Sequence, residues 1–299
     1  MNVVARHRVN RLFTGLTFAA VALIVLGLLT VVLDAVVGGW GALSWRFFTE
    51  APGDEVNEGG VFPAIYGTAV LTLLMTVAVM PLGVATAVYL HEYADPVSRL
   101  ARLARAAIAN LAGVPSIVFG LFGLGFFVQV VGGSIDHVTG STLRYAQPGL
   151  LWAALTLALL TLPIVIVTTE EALRAVPVEL RMASLALGAT RAQTLFRVIL
   201  PGALPGIMTG AILAVSRGAG EVAPVLLTGA AYSLPSLPTS LSSQFMHLGY
   251  HAYVLATQAP DVEAAEPMMY ATVLVLLMLT FLLNLVAVIV RARARRVSA

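Results

Sequence analysis

The sequence predicts an all-α integral membrane protein that crosses the bilayer six times with both termini on the cytoplasmic side. Three observations carry this. Only 11% of the 299 residues are charged and 59% are hydrophobic, whereas a soluble domain of this length has about a quarter of its residues charged. The apolar residues gather into six runs, each near the ~20 residues that span the hydrocarbon as a helix. The basic residues are sorted: all but Arg46, Arg144 and Arg217 fall on one side of those runs, which the positive-inside rule makes the cytoplasm.

The first span is expected at about residues 12–37, preceded by Arg6, Arg8 and Arg11. It is longer than the apolar core of a signal peptide, and no small-residue cleavage site follows it. Asp34, near its outer end, reads as an interface residue without a role. The second span, at about 62–89, contains Pro81 as an expected kink; Arg99, Arg102 and Arg105 follow it. The third is expected at about 107–131 and includes Pro115. Its Gly120, Gly123 and Gly125 lie inside an apolar run, so they suit close helix contact and form no phosphate cradle. The fourth, at about 149–167, is followed by Arg174, Arg181, Arg191 and Arg197. The fifth, at about 206–230, and the sixth, at about 268–290, complete the set, and Arg291, Arg293, Arg295 and Arg296 close it.

The outer loops are acidic, with Glu50, Asp54, Glu55 and Glu58 after the first span and Asp261, Glu263 and Glu266 before the sixth. They fit plain solvation or a rim that meets a soluble partner. Residues 241–258 read as an amphipathic outer segment able to touch such a partner. His247 and His251 share a helical face there, but no third ligand stands at metal-site spacing, so no metal site is expected.

Composition also removes functions. There is no cysteine and no lysine, hence no disulfide, no thiolate chemistry and no P-loop, whose lysine holds the nucleotide phosphates. An HExxH motif is absent, the five histidines fall outside the predicted spans, and Ser216 has no base within the membrane to activate it. A membrane enzyme, a catalytic centre, a resident cofactor and a nucleic-acid partner are therefore not expected. Nor is there a convincing internal repeat, which disfavours an ion-driven secondary carrier.

Two stretches remain to be explained. Residues 177–205 form a charged, proline-bounded island between the fourth and fifth spans. Pro177 and Glu179 suit the start of a helix, and Leu180, Ala183, Ser184 and Leu187 share one face. Gly188 is placed as a left-handed cap, and Thr190 with Gln193 reads as a capping box that restarts the helix. The second helix is expected to end against Pro201 and Pro205. The result is a compact bent knob.

The other stretch is VSRGAGEVAPVLLTG in the fifth span. Arg217 and Glu221 lie four apart, on one helical face. A charge at membrane depth costs about 2.5–3.5 kcal/mol on insertion scales. Gly218, Gly220 and Pro224 loosen the helix at that level, Pro224 being unable to bond to the Gly220 carbonyl. Either Arg217 offers paired donors to a tetrahedral oxyanion, with Glu221 holding or gating it, or the two merely neutralise each other or a partner subunit.

Ala183, Gly188, Leu200 and Pro201 make the knob resemble the cytoplasmic loop of permease subunits of binding-protein-dependent ABC importers. Met182 and Ser184 stand where that loop has Glu and a second Ala, and Val198 where it has Ile. The string RGAGEVAP, followed by LLTG, is similar to the signature of the A-type permease family of the phosphate-specific ABC importer, with Val222 in the place of its Thr. TAVYLHEYAD, NLAGVPSIVFGLFGL, LTLPIVIVTTEEALRAVP and LLNLVAVIVRARARR agree with it too, so the resemblance runs from about residue 61 to the end.

The resemblance implies a type I ABC importer permease fold: an N-terminal span and outer loop over 1–60, and a permease core over 61–299 with a coupling loop at 169–205. It implies that Glu179, Ala183, Ser184, Gly188, Leu200 and Pro201 belong to the surface that docks on an ATPase subunit; of the two readings of Arg217 and Glu221, the substrate path is preferred on the cost of burying the pair. Implied partners are a homologous C-type permease, two ATPase subunits that use ATP, and an extracytoplasmic phosphate-binding protein. The chain would lie in a bacterial plasma (inner) membrane and move inorganic phosphate inward. One arginine–glutamate pair does not separate phosphate from molybdate or sulfate, so a permease for another oxyanion stays open.

Overall fold

A computed structural model describes residues 3–53, 59–95 and 97–297, with side chains from residue 10 to residue 293. Asp54, Glu55 and Glu58 of the acidic outer loop lie outside the described residues, as do the side chains of Arg6, Arg8, Arg295 and Arg296.

Among the described residues, six helical segments are long and apolar enough to cross a membrane. The first, α1 (Val3–Gly39), exposes almost all of its apolar side chains from residue 10 onward. It meets the bundle at one end, where a Cβ added to Gly39 would come within 2.6 Å of the Ala271 backbone. A short α2 (Trp45–Thr49) follows, its first turn capped by Ser44, whose Oγ accepts from the Phe47 N–H at 3.2 Å. The second span is α3 (Phe62–Val88), with Pro81 inside it, continued by a π-helical turn Tyr89–Tyr93.

The third span differs from the one the sequence predicts. The apolar density that begins near Ala107 belongs to a separate helix, α4 (Arg99–Leu111), which ends before the span starts. Pro115 has extended backbone (φ −56°, ψ 140°) and precedes α5 (Ser116–Phe122). The reason is local: proline lacks an N–H and keeps the residue before it out of the helical region, so a boundary wins over a kink. The span continues through a π-helical stretch Gly123–Gly132 into α6 (Gly133–Thr139). With these bounds His91 and His137 fall within spans rather than outside them.

The fourth span, α7 (Leu150–Arg174), is the hub, buried on most of its surface. Leu157 and Val165 pack with Leu71, Met75 and Val79 of α3 and with Ala214 of the fifth span. Small residues bring the backbones together: Gly83 sits on Val165, and Gly206 and Gly210 sit on Ala172 and Thr168. Among helices in lipid this close packing takes the place of the hydrophobic drive available in water.

Next comes the knob, α8 (Val178–Ala186) and α9 (Arg191–Thr194). The sequence expects the second arm to stop at Pro201 and Pro205. Instead α9 runs through a π-helical turn Leu195–Ile199 into α10 (Leu200–Gly220), so knob and fifth span form one helical segment, Arg191–Gly220. The Leu200 N–H reaches back to the Leu195 carbonyl. This wider turn changes register before Pro201, which falls in the first turn of α10, where a missing N–H costs least. Pro205 is carried inside α10. Beyond the break come α11 (Ala223–Thr228), a two-residue parallel pairing of β1 (Ala230–Ala231) with β2 (Phe245–Met246), α12 (Leu248–Thr257) and the long α13 (Val262–Val297).

Candidate functional site

Arg217 and Glu221 pair, Nε to Oε1, at 3.3 Å. The break lies at the acid itself. Helix α10 stops at Gly220, Glu221 is extended (φ −78°, ψ 126°), and Pro224 opens α11 within its first turn. The sequence reading has Gly218, Gly220 and Pro224 loosen the helix at this level; the structure ends α10 at Gly220 and uses Pro224 to start α11. Three elements grip the break. Met75 of α3 fills the space where Gly218 lacks a side chain. Gly120 of α5 lets the Pro224 backbone approach, and Gly249 of α12 does the same for the Val222 side chain.

The pair is not sealed inside the chain. The Arg217 side chain is 42% exposed and that of Glu221 18%. With Nε turned to the acid, the two terminal nitrogens of the guanidinium remain for an oxyanion, which a planar fork binds with two parallel hydrogen bonds. The neighbouring Ser216 turns away, donating to Asn284 Oδ1 of α13 at 2.6 Å.

The knob keeps the local features that the sequence predicts. Gly188 has φ +84°. The Gly188 N–H donates to the Leu185 carbonyl at 3.0 Å and the Ala189 N–H to the Ser184 carbonyl at 3.2 Å, the paired pattern of a Schellman cap. The Thr190 N–H donates to Gln193 Oε1 at 2.8 Å, and the Gln193 N–H to Thr190 Oγ1 at 3.2 Å. Ser184 and Thr194 share a hydroxyl hydrogen bond of 2.9 Å that ties the two arms together. Leu195 and Ile199 anchor the second arm against Leu173 and Val176. Leu200 is half-buried against the same cluster, and Pro201 is exposed.

The first arm is bare. Among the described residues α8 has no buried side chain, and Glu179, Leu180, Met182, Ala183 and Leu187 are all exposed. A helix that presents leucine and methionine to water on a capped, rigid bend suits a protein groove.

Sequence reading missed the polar contacts beneath the knob. Arg181 of α8 holds Glu92 at the end of the second span, with Nη1 2.7 Å from Oε1. Arg105 of α4 donates to the Leu90 carbonyl at 2.7 Å and stands 3.6 Å from Glu170 of α7. These partners lie far apart in the chain, so local spacing holds no trace of them. The only cue was the presence of acids at span ends, Glu92 within TAVYLHEYAD and Glu170 within LTLPIVIVTTEEALRAVP.

The outer histidines are also placed differently. His247 and His251 are buried, so residues 241–258 do not present them to a soluble partner. His247 starts α12, its Nδ1 accepting from the Tyr250 N–H at 3.4 Å, while the Leu248 N–H donates to Thr68 Oγ1 at 2.9 Å. Burial lowers the His247 imidazole to about 4. It also lowers His251, against a hydrogen bond to the Tyr232 backbone that opposes the shift.

Comparison with known proteins follows the same outline. Residues 79–296 match a family described as "Binding-protein-dependent transport system inner membrane component". The "Probable ABC transporter permease protein YqgI" of Bacillus subtilis (strain 168) is 33% identical over 264 residues, covering 84% of each chain. The "Phosphate transport system permease protein PstA" of Yersinia pestis is 33% identical over 292 residues, covering 97% of this chain and 92% of that one. Among solved structures, a bacterial alginate ABC transporter in complex with an alginate pentasaccharide-bound periplasmic protein superposes with a TM-score of 0.68 at 14% identity, over 100% of this chain and 99% of that one. An inward-facing form of the MetNI methionine ABC transporter gives 0.55 at 21% identity, over 79% and 94%. At these identities the structures speak to fold alone.

Proposed function

Because the chain belongs to the binding-protein-dependent transport system inner membrane components, we propose that it is the permease subunit of an ATP-driven importer for inorganic phosphate. It is a multi-pass membrane protein and a transport subunit, not an enzyme. Support for phosphate comes from relatives named as phosphate transport permeases, which include, besides the Yersinia protein, one from Mycobacterium tuberculosis, 34% identical over 235 residues.

The observation that carries the mechanism is the unbroken helical segment Arg191–Gly220, which joins the exposed knob to the turn bearing Arg217. The knob faces the cytoplasm, as do both termini, and α8 seats in a groove on an ATP-hydrolysing subunit. A second, homologous C-type permease completes the pore, a second ATPase subunit serves it, and an extracytoplasmic phosphate-binding protein delivers the anion. ATP binds to the ATPase subunits, not to this chain. Closure of the ATPases moves the knob, the segment transmits that motion, and Arg217 meets the anion in a pore shared by the two permeases. Glu221 keeps the arginine neutralised when no anion is present, which limits the cost of a charge at this depth.

The test is uptake of labelled phosphate by the assembled importer in proteoliposomes. Arg217→Ala is expected to lower ATP-dependent uptake by two orders of magnitude or more while all subunits still co-purify. Retained uptake would make Arg217 structural. Competition by molybdate or sulfate stronger than by unlabelled phosphate would assign the path to another oxyanion.

A further inference from the structure

Two arginines tie the second and fourth spans together at the basic end of the bundle. Arg181, on α8, places Nη1 2.7 Å from Oε1 and 2.8 Å from Oε2 of Glu92, while its Nη2 donates to the Leu173 carbonyl at 3.2 Å and lies 3.4 Å from His91 Nε2. Glu92 belongs to the π-helical turn that ends the second span, and Leu173 to the last turn of the fourth. Arg105 of α4 bridges the Leu90 carbonyl and Glu170, again joining the second span to the fourth.

The two routes out of the knob differ in kind. Toward the fifth span the connection is covalent, through α9, the turn Leu195–Ile199 and α10. Toward the second span it is ionic. Among the described residues α8 buries no side chain that would fix it there by apolar packing. A cavity of about 130 Å³ lies where the arms meet the end of the second span, with Glu92, Tyr93, Arg181, Leu185 and Arg191 among its lining residues. Both side chains of the pair are largely withdrawn from solvent, Arg181 at 21% and Glu92 at 14% exposed, so the contact is screened less than a surface ion pair. Its receiving end is a π turn, in which the Ala94 N–H reaches back to the Tyr89 carbonyl at 2.9 Å. Turns of this type concentrate at functional sites and mark a local departure from the regular α-helical ladder.

We propose that Arg181 and Glu92 are positioning residues that carry displacement of the knob to the second span, so that the second and fifth spans move together when the ATPase subunits close. Arg105 and Glu170 hold the second span to the fourth and give the moving end a fixed reference. This inference rests on the reading that the knob docks on an ATPase.

The test measures phosphate moved per ATP hydrolysed in the assembled importer, in proteoliposomes, for Glu92→Gln, Arg181→Lys and the exchanged pair Glu92→Arg with Arg181→Glu. Expected are normal retention of the ATPase subunits, persistent ATP hydrolysis and a fall of at least about fivefold in phosphate per ATP for Glu92→Gln, within the range of typical coupling between sites. Arg181→Lys, which keeps charge but not the fork, should fall less. The exchanged pair should recover coupling well above Glu92→Gln. A loss of assembled complex with phosphate per ATP unchanged would make the pair structural and overturn the inference, as would an exchanged pair no better than Glu92→Gln. If the wild-type chain retains no ATPase subunit, the docking reading fails instead, independently of any variant.

Discussion

Arg217 places Nε 3.3 Å from Glu221 Oε1, and the extended backbone at Glu221 marks the break that ends α10. This arrangement was half legible in the sequence. The cost of two charges at membrane depth singles out the residues, but the position of the break depends on packing by Met75, Gly120 and Gly249, which no local pattern encodes. His247 shows the same limit. Its spacing from His251 put the two on one helical face; both are buried, and Nε2 of His247 and Nδ1 of His251 have no hydrogen-bond partner among the described residues. Folded His247 resists a proton that the unfolded chain takes near 6.5, its own value being about 4. Its contribution to stability is therefore complete above pH 6.5 and is lost as pH falls toward 4, by roughly 3 kcal/mol in all. Thermal unfolding of the solubilised chain should shift down between pH 7 and 5, and His247→Gln should flatten that dependence; an unchanged slope in the variant would place the titration elsewhere.

The knob was the most legible element, because its signals are short-range. A glycine that requires φ +84° and a Thr190–Gln193 capping box act within a few residues, and both stand in the structure as the sequence reads. The prolines were less so. Pro115 stands just before the start of one helix, Pro201 lies in the first turn of another and Pro205 rides inside it. The difference lies in whether the backbone around each can change register, which the turn at Leu195–Ile199 allows before Pro201. The bend itself is open to test. Among the described residues nothing lies within 4 Å of a Cβ placed on Gly188, so any cost there comes from the backbone alone. Gly188→Asn, which tolerates the left-handed region, should keep both assembly and coupling. Gly188→Val, which strains that region by about 1–2 kcal/mol, should cut phosphate moved per ATP several-fold or release the ATPase subunits. Equal behaviour of the two variants would separate the bend from coupling.

At the scale of the whole molecule, α7 is the fixed column, with α3 and α10 packed on it through glycines. One long segment runs along this column from the exposed bend to Arg217, and an ionic contact from the same bend reaches the second span. Six spans and their basic-side asymmetry were legible because hydropathy and charge sorting are properties of composition along the chain. The contact of Arg181 with Glu92 joins residues some ninety positions apart, and only the packed bundle brings them together. The bare arm α8 is expected to meet a nucleotide-hydrolysing subunit. The chain has no cysteine, and Leu187 at the tip of the bend is 89% exposed, so Leu187→Cys carries a single thiol-directed photo-crosslinker in the assembled importer. The expected result is one crosslinked product joining this chain to an ATP-hydrolysing subunit on the cytoplasmic face. Crosslinks to lipid alone, or to a protein on the opposite face of the membrane, would contradict it.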